Sequence, residues 1–310
     1  MRFTRPADVR QLERLAARGG RLDIVLDTDT YNEIDDQFAL AYALLSPERL
    51  NVQAVYAAPF FNDRSNAPGD GMERSYDEIL RVLARLGVNS SGLVHKGSDR
   101  YLGSLDTPCR SAAALDLIDR AMAAAEPLYV VAIGAITNVA SAILLEPRIV
   151  DKIVVVWLGG NAASWPDNLE FNLKQDVASA SLIFDCGVPV LQVPCMPVAS
   201  HLTASPQEVD HYLNGKSPIG TYLADIFRQY CRQHGCIAKE IWDIAAIAAL
   251  INSDWAPMDV IHSPILSERL TWGHDPGRHF IKSVRVLNRN AIFADLYHKI
   301  SSARGREENL

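Results

Sequence analysis

The most distinctive feature of the sequence is an acidic segment near its start, VLDTDTYNEIDDQFALAYALL. Five carboxylates fall within ten residues of it: Asp27, Asp29, Glu33, Asp35 and Asp36. No Lys or Arg occurs from residue 22 to residue 48, so the segment supplies no cation of its own. Carboxylates crowded beside a buried strand repel one another unless a cation or fixed donors offset their charge. The segment therefore predicts a site for a hard divalent cation.

The types of ligand narrow the choice of metal. Oxygen ligands without a nearby His or Cys favour Ca²⁺ or Mg²⁺ over zinc. A single Asp here would be interpreted as a helix cap, because acidic residues also favour helix N-termini. Asp29, Asp35 and Asp36 together, directly after an apolar run, favour a metal site instead. For Asp27, a role as a ligand and a role as a brace of the loop fit the sequence equally well.

A regular alternation of elements would hold this segment in place. Apolar, β-branched runs predict buried strands at residues 22–27, 51–58, 127–134, 152–160 and 188–194. Amphipathic stretches between them predict helices at residues 37–45, 76–87, 113–125, 137–147 and 178–187. This order predicts an α/β fold with an open, mostly parallel central sheet flanked by helices. Functional groups in such folds gather at the carboxyl ends of the strands, where the acidic segment lies.

The C-terminal part is expected to be more helical. Its strongest predicted helix covers residues 241–251, and a hairpin-like pair of strands is predicted at residues 280–288 and 291–300. We expect one domain over residues 1–310, with a short N-terminal surface helix within residues 1–21 and a flexible tail at residues 301–310.

The composition excludes several classes of protein. Thirty Lys and Arg against 37 Asp and Glu give a net charge of -7, which argues against nucleic-acid binding. Charged residues interrupt every apolar run before it could span a membrane, and the N-terminus lacks the apolar centre of a secretory signal. The five cysteines form no C-x-x-C pair. We therefore expect a reduced, cytoplasmic protein that acts on a small molecule.

Four segments, in order along the chain, resemble motifs of the inosine-uridine-preferring nucleoside hydrolases. The family's acidic D-x-D…D-D loop is matched by Asp27-Thr28-Asp29 and Asp35-Asp36, and its G-P-L-T-N-x-A segment is similar to AIGAITNVA. Its G-G…E-F-N…D region and its late H-D-P-L-A helix resemble WLGGNAASWPDNLEFNLKQD and IWDIAAIAALI. The matching positions outside the acidic loop are Gly134, Thr137, Asn138, Gly159, Gly160, Glu170, Phe171, Asn172, Asp176 and Asp243.

The resemblance implies an enzyme that hydrolyses the N-glycosidic bond of ribonucleosides with a tightly bound Ca²⁺, commonly as a homodimer or homotetramer. It implies that Asp29 ligates Ca²⁺ and takes a proton from the Ca²⁺-bound water. Further ligands would be Asp36, Asp243 and the main-chain carbonyl of Ile133. The ribose hydroxyls would be held by Asp35, Glu170, Asn172 and either Asn161 or Asn168.

The most important departure from the family pattern is at residue 242. Members often carry a His before the late Asp that is thought to protonate the departing base, whereas this chain has Trp242. An indole cannot serve as that acid. Trp242 either stacks on a purine base, as aromatic residues do in some purine-specific members, or packs in the core. The best remaining acid in the sequence is His274 or His279, in the segment WGHDPGRHF.

Two other functions compete with this one. The string LDTDT also fits a haloacid-dehalogenase-type phosphatase with Mg²⁺ and with Asp27 as the nucleophile, but the Lys and the second acidic pair that it needs do not stand out. Alternatively, a degenerate hydrolase could bind sugars or nucleosides without cleaving them.

Overall fold

The computed structural model describes residue 3 and residues 6–304. Its main sheet contains eight strands: β1 (Leu22–Thr28), β2 (Leu50–Ala57), β3 (Val94–Lys96), β4 (Leu128–Ala132), β5 (Ile153–Leu158), β6 (Val190–Val193), β9 (Met258–His262) and β12 (Phe280–Val284). Two small sheets pair β7 (Thr203–Ala204) with β8 (Lys239–Glu240), and β10 (Ile265–Leu266) with β11 (Trp272–Gly273).

The main sheet has the strand order β3-β2-β1-β4-β5-β6-β12-β9. Adjacent strands in this sheet are parallel, except that β9 pairs antiparallel with β12 at the edge. The order reverses between β1 and β4, which are adjacent although β2 and β3 separate them in sequence. This is the predicted open, mostly parallel α/β sheet, and its reversal point is where such folds place their ligands.

The helices cover both faces of the sheet. They are α1 (Asp8–Leu15), α2 (Asp36–Leu44), α3 (Pro68–Leu86), α4 (Ala112–Ala123), α5 (Thr137–Leu145), α6 (Phe171–Gln175), α7 (Val177–Asp185), α8 (Pro206–Leu213), α9 (Pro218–His234), α10 (Ile244–Ile251) and α11 (Arg289–Ser301). Short 3₁₀ turns occur at Pro147–Asp151, Ala199–His201 and Ser253–Trp255.

The strands are buried on both sides because successive side chains point to opposite faces. In β1, Ile24 and Leu26 join the apolar core that contains α2, α9, α10 and α11. Val25, between them, joins the core formed with α4, α5 and α7. The predicted runs of apolar residues without polar alternation are therefore explained by helices on both faces.

All five predicted strands and the five predicted helices between them are present, with shifted ends. The largest shift is in α3, which begins at Pro68 rather than at residue 76. Its first turns contain Gly71, where a Cβ atom would lie 2.0 Å from the carbonyl oxygen of Phe60. Glycine is needed there for close backbone contact, and this requirement obscures the helical pattern in the sequence.

The predicted hairpin near the C-terminus is wrong in its second half. Residues 280–284 do form β12, but residues 291–300 belong to helix α11. The buried residues of that segment are Ile292, Phe293, Leu296, Tyr297 and Ile300, which have the spacing of one helical face. The side chain of Asn288 caps this helix by accepting a hydrogen bond from the backbone N–H of Ala291 at 3.2 Å.

The two chain ends lie partly outside the described residues. The N-terminal helix is present as α1, and it buries Gln11, Arg14 and Leu15 rather than lying free on the surface. Of the predicted C-terminal tail, Ser301 ends α11, and residues 305–310 are outside the described part. None of the helices described is both long enough and apolar enough to span a bilayer.

Candidate active site

Acidic residues from distant parts of the chain meet at the carboxyl edge of the sheet. Asp29 directly follows β1, and Ile133 directly follows the adjacent strand β4. Asp36 begins α2 and Asp243 immediately precedes α10, and these two helices pack against each other. Two strand ends and two helix starts therefore form one site.

Three of the acids form a compact group that could hold a metal ion. Asp35, Asp36 and Asp243 are buried, and each offers a carboxylate oxygen within 4.8 Å of the others. The resemblance had given Asp35 to the ribose hydroxyls, whereas the structure places it beside the predicted ligands. Asp29 lies outside this compact group but close enough to Asp36 and Asp35 to be affected by their charge.

The pKa values of these buried acids indicate that a cation binds to them. Burial, together with repulsion from neighbouring carboxylates, raises the pKa of Asp36 to about 8 and the pKa values of Asp29 and Asp243 well above the usual range. Burial also raises the pKa of Asp35 to about 6, although the nearby ammonium of Lys239 opposes this shift. Without a cation, these groups do not all ionise near neutral pH.

Asp29 is the most poorly satisfied acid. Its side chain is fully buried, and neither carboxylate oxygen accepts a hydrogen bond from another described residue. Burying a carboxylate without hydrogen-bond partners costs free energy. A cation bound by Asp29 is the simplest explanation for this arrangement. Gly134 leaves room for the side chain of Asp29, since a Cβ at position 134 would lie 2.9 Å from the carboxyl carbon of Asp29. An all-oxygen donor set with these unsatisfied atoms suits a hard divalent cation.

Asp27 has a different environment from Asp29. It is completely buried, and its carboxylate accepts a hydrogen bond from the Nδ2 of Asn138 at 2.7 Å. The same amide group is 3.3 Å from the carbonyl oxygen of Ala57 at the end of β2. Burial raises the pKa of Asp27 to about 7. Asp27 therefore ties β1 to β2 through Asn138, which matches the brace interpretation.

The predicted ribose-binding residues cluster beside the acids. Glu170 caps α6, accepting hydrogen bonds from the backbone N–H groups of Asn172 at 2.8 Å, Leu173 at 2.9 Å and Gly160 at 2.9 Å. The Nδ2 of Asn172 donates to the carbonyl oxygens of Leu158 at 3.0 Å and Ile133 at 3.3 Å. These bonds fix both side chains next to the end of β4.

The two alternative Asn residues are separated by the structure. Asn161 lines the cavity described below, and its side chain accepts a hydrogen bond from the backbone N–H of Met196 at 3.1 Å. Asn168 is completely buried, and its Oδ1 accepts from the backbone N–H of Asn161 at 2.8 Å. Asn168 thus supports the backbone of Asn161 instead of facing the cavity.

A cavity of about 440 Å³ opens above these groups. Its floor carries Asp35, Asp36, Asp243 and the Ile133 end of β4. Its other walls are formed by Asn32, Glu33, Asn62, Leu158, Asn161, Trp165, Asp167, Leu169, Glu170, Phe171, Asn172, Cys195, Met196 and Trp242. The lining combines acidic and polar groups with the aromatic rings of Trp165, Phe171 and Trp242, as a site for a sugar joined to a planar ring would.

Trp242 lines this cavity and is half-buried, and it also packs against the apolar core, so it meets both interpretations of this position. Its backbone N–H donates to Oδ2 of Asp35 at 3.1 Å, so its position is fixed relative to the acidic group. The expected acids His274 and His279 do not line the cavity; the ring of His274 lies 6.2 Å from that of His262.

Several residues at the site were not predicted from the sequence. The ammonium of Lys239, from the two-residue strand β8, lies 2.7 Å from Oε2 of Glu33. Trp165 and Cys195 line the cavity from loops after β5 and β6. The only available hint was that these loops follow the predicted strands at the same edge of the sheet.

Comparison with known proteins identifies the family. The family profile described as "Inosine-uridine preferring nucleoside hydrolase" matches residues 24–291, which is most of the chain. The chain belongs to this family. The protein is therefore an enzyme that hydrolyses the N-glycosidic bond of a nucleoside. The alternative function, a phosphatase with Asp27 as the nucleophile, is wrong.

Individual relatives agree with this assignment. The nucleoside hydrolase is 28% identical over 262 residues to a pyrimidine-specific ribonucleoside hydrolase, RihA, of Salmonella typhimurium, covering 75% of this chain and 80% of that protein. The corresponding RihA of Escherichia coli O9:H4 is 25% identical with the same coverage.

Solved structures share the fold at lower identity. A purine-preferring ribonucleoside hydrolase from Gardnerella vaginalis superposes with a TM-score of 0.74 at 22% identity, covering 91% of this chain and 98% of the other. A plant nucleoside hydrolase, the PpNRh1 enzyme, superposes with a TM-score of 0.73 at 20% identity, covering 91% and 99%. These likenesses confirm the α/β fold of the nucleoside hydrolase.

Proposed function

We propose that the cavity is the active site of a Ca²⁺-dependent ribonucleoside hydrolase that releases ribose and a free base. The observation that carries this proposal is the compact group of three buried carboxylates, Asp35, Asp36 and Asp243, that lines a cavity of about 440 Å³. Asp29 is completely buried beside this group, close enough for the charges of Asp36 and Asp35 to raise its pKa. Repulsion between carboxylates in so small a volume destabilises the fold. A bound cation removes this repulsion because each carboxylate is attracted to it.

In the proposal, Ca²⁺ is held by Asp29, Asp36, Asp243 and the main-chain carbonyl of Ile133. The donors are all oxygen atoms, and the carboxyl group of Asp29 lacks other partners among the described residues. When bound, Ca²⁺ supplies Lewis-acid activation of a water molecule and orientation of the ribose hydroxyls. Asp35 is adjacent to this set and reaches the hydroxyls from the same side.

The side chains then have separate tasks. Asp29 accepts a proton from the attacking water, a role that suits a carboxylate with no competing hydrogen bonds. Asp35, Asn161, Glu170 and Asn172 hold the ribose hydroxyls and place the anomeric carbon over the water. The same oxygen atoms stabilise the positive charge that develops on the sugar as the C–N bond breaks.

The base would lie against the aromatic residues of the cavity. Trp242 presents its indole ring there, and Trp165 and Phe171 lie on other walls. Planar rings stack favourably on such side chains without needing a particular pattern of hydrogen bonds. We therefore assign Trp242 to the base, with a purine as the best-fitting partner.

We also infer a cytoplasmic enzyme that assembles as a homodimer or homotetramer. All five cysteines are unpaired in the described structure, which supports a reducing compartment. The oligomeric state rests on the family resemblance, and light scattering of the purified protein measures it.

A substitution of Asp29 tests the proposed function. Asp29→Asn keeps the shape of the side chain but removes its basicity, so kcat on inosine or uridine should fall by about 10²–10⁴-fold. Release of reducing sugar is the measurement, and Asp254→Asn, at an exposed position outside the cavity, is the matched control. If the wild-type protein with Ca²⁺ releases no ribose from any ribonucleoside but binds ribonucleosides, the chain is a binding protein and the proposal fails.

A further inference from the structure

A second cavity lies at the amino edge of the main sheet, opposite the edge that carries the acidic group. It has a volume of about 290 Å³, and the sheet contributes Leu22 of β1, Tyr129 of β4, Leu191 of β6 and Lys282 of β12 to its lining. The end of α1 with the segment after it forms one side, and the C-terminal end of α10 forms another. The length of β1, about 23 Å, separates this cavity from Asp29.

The charges on this lining are all positive. The cationic side chains are Arg14, Arg18, Arg49 and Lys282, and no Asp or Glu in the described part of the chain belongs to the lining. Arg14 lies 3.6 Å from Asp151 and Arg18 pairs with Glu126, so these two are partly neutralised from outside. Arg49 and Lys282 have no carboxylate oxygen within 4.0 Å among the described residues. In a chain with a net charge of -7, this cavity would attract an anion.

Arg49 contributes its charge more than its hydrogen bonds. Its Nε donates to the carbonyl oxygen of Leu250 at 2.8 Å, and its two terminal nitrogens donate to the carbonyl oxygens of Arg18, at 2.6 Å, and Gly20. These bonds tie the guanidinium group to the end of α10 and to the segment after α1. All three of its nitrogens are therefore already engaged.

Two other polar groups of the cavity are not engaged. Neither the ammonium of Lys282 nor the hydroxyl of Tyr129 has a hydrogen-bond partner among the residues that the structure describes. Burial raises the pKa of Tyr129, and Arg18 and Arg49 lie close enough for their charges to oppose this shift. A largely buried donor without an acceptor costs free energy. A ligand with acceptor oxygens would satisfy both groups.

The rest of the lining decides what kind of anion fits. Most of it is aliphatic: Leu15, Leu22, Leu191, Ala249, Leu250, Ile251, Ala256 and Met258. Such walls suit an apolar body rather than a bare hydrated ion. A carboxylate offers two acceptor oxygens to the two free donors. A phosphate group brings more charge and a third acceptor oxygen, which these donors leave unsatisfied.

We propose that this cavity binds a small organic carboxylate with an apolar, ring-sized body. The site is separate from the proposed active site, and the inference does not depend on the proposed function. Its occupant would contact the amino ends of β1 and β4 and the C-terminal end of α10. Because Asp29, Ile133 and Asp243 lie next to the other ends of these elements, the ligand would stabilise the scaffold that holds the acidic group.

Titration calorimetry with 2-naphthoate tests the proposal. The uncharged amide, 2-naphthamide, has nearly the same shape, so the pair reports the contribution of the charge. We expect a Kd at least about tenfold lower for 2-naphthoate, and a weaker advantage at high salt. Equal affinities for the two compounds would overturn the proposal. Displacement of 2-naphthoate by an equal concentration of inorganic phosphate would overturn the assigned class of ligand.

Two variants locate the bound probe. Lys282→Met removes the charge but keeps an unbranched side chain, and Tyr129→Phe removes only the hydroxyl. Each should raise the Kd for 2-naphthoate by at least about tenfold. Arg285→Met, at an exposed position of the chain outside the lining, removes the same charge and is the matched control. Thermal unfolding without ligand checks that each variant is folded. An unchanged Kd in both variants would place the probe elsewhere and would overturn the proposal.

Discussion

A carboxyl oxygen of Asp36, at the start of α2, lies within 4.8 Å of a carboxyl oxygen of Asp243, at the start of α10. Two ionised carboxylates this close repel each other, so both ionise near neutral pH only when a cation lies between or beside them. The pairing joins the first and the last acidic segments of the site.

This pairing makes Asp243 a test of the metal site. Asp243→Asn removes one charged ligand, and we expect the affinity for Ca²⁺ and the kcat/KM for ribonucleosides to fall by at least about 100-fold. Calorimetric titration with Ca²⁺ measures the first quantity and ribose release the second. Asp167→Asn is the matched control, because Asp167 lines the same cavity but lies outside the compact group of acids. Unchanged Ca²⁺ affinity in the Asp243 variant would contradict the assigned ligand set.

Removal of the metal should make stability depend on pH. Without a cation, burial raises the pKa of Asp36 to about 8 and that of Asp35 to about 6, whereas Asp ionises near pH 4 in an unfolded chain. A raised pKa in the folded state means that stability is full below about pH 4 and is lost as the pH rises through 6 and 8. The chelated protein should therefore have a lower Tm at pH 8.5 than at pH 5.5.

Added Ca²⁺ should restore the Tm most strongly at pH 8.5, because the carboxylates are then ionised and ready to bind. Scanning calorimetry at the two pH values, with chelator or with Ca²⁺, measures both effects. A chelated protein whose Tm is the same at both values would show that these acids are not coupled to folding in this way.

The bond between Asn138 and Asp27 is expected to stabilise the fold. Asn138→Ala leaves the buried carboxylate of Asp27 without its side-chain donor, at a cost of about 1–3 kcal/mol in the free energy of unfolding. Urea denaturation measures the change. Asn290→Ala, at an exposed position on α11, is the control and should change stability by less than about 0.5 kcal/mol. Equal effects of the two substitutions would argue against the brace.

Lys239 is expected to position the acidic loop. Lys239→Met removes the cation that lies 2.7 Å from Glu33 and that opposes the raised pKa of Asp35. Two unbalanced carboxylates should then move apart, and KM for ribonucleosides should rise by about tenfold with a smaller change in kcat, as expected for lost ground-state positioning. Steady-state kinetics decide this, with Lys216→Met at an exposed position as the control. A variant with unchanged KM would show that the ion pair does not position the loop.

Much of the fold could be predicted from the sequence because the signals were local. Residues 153–158, for example, are apolar throughout, and this pattern is typical of a strand that is covered on both faces. The start of α3 was missed because close packing of Gly71 on Phe60, not an amphipathic pattern, decides it. The segment 291–300 was misread because its short apolar run fits either element, and its contacts with α8 and α9 select the helix.

The site was predicted less completely than the fold. Asp29, Asp36 and Asp243 could be named because each belongs to a motif. Lys239 could not, because its partner Glu33 is far away in sequence and only the tertiary fold brings the two together. The choice between Asn161 and Asn168 also required the tertiary structure, since it depends on which of the two amide groups faces the cavity.

The position of Asp243 has a consequence for the order of events during synthesis. A nascent chain that has not yet emerged from the ribosome beyond α10 contains the acids of the first loop without the residue that completes their cage. The strands from β1 to β6 are therefore all synthesised before the full set of proposed ligands exists. In the proposed site, complete capture of the metal can follow only after the chain has emerged beyond α10.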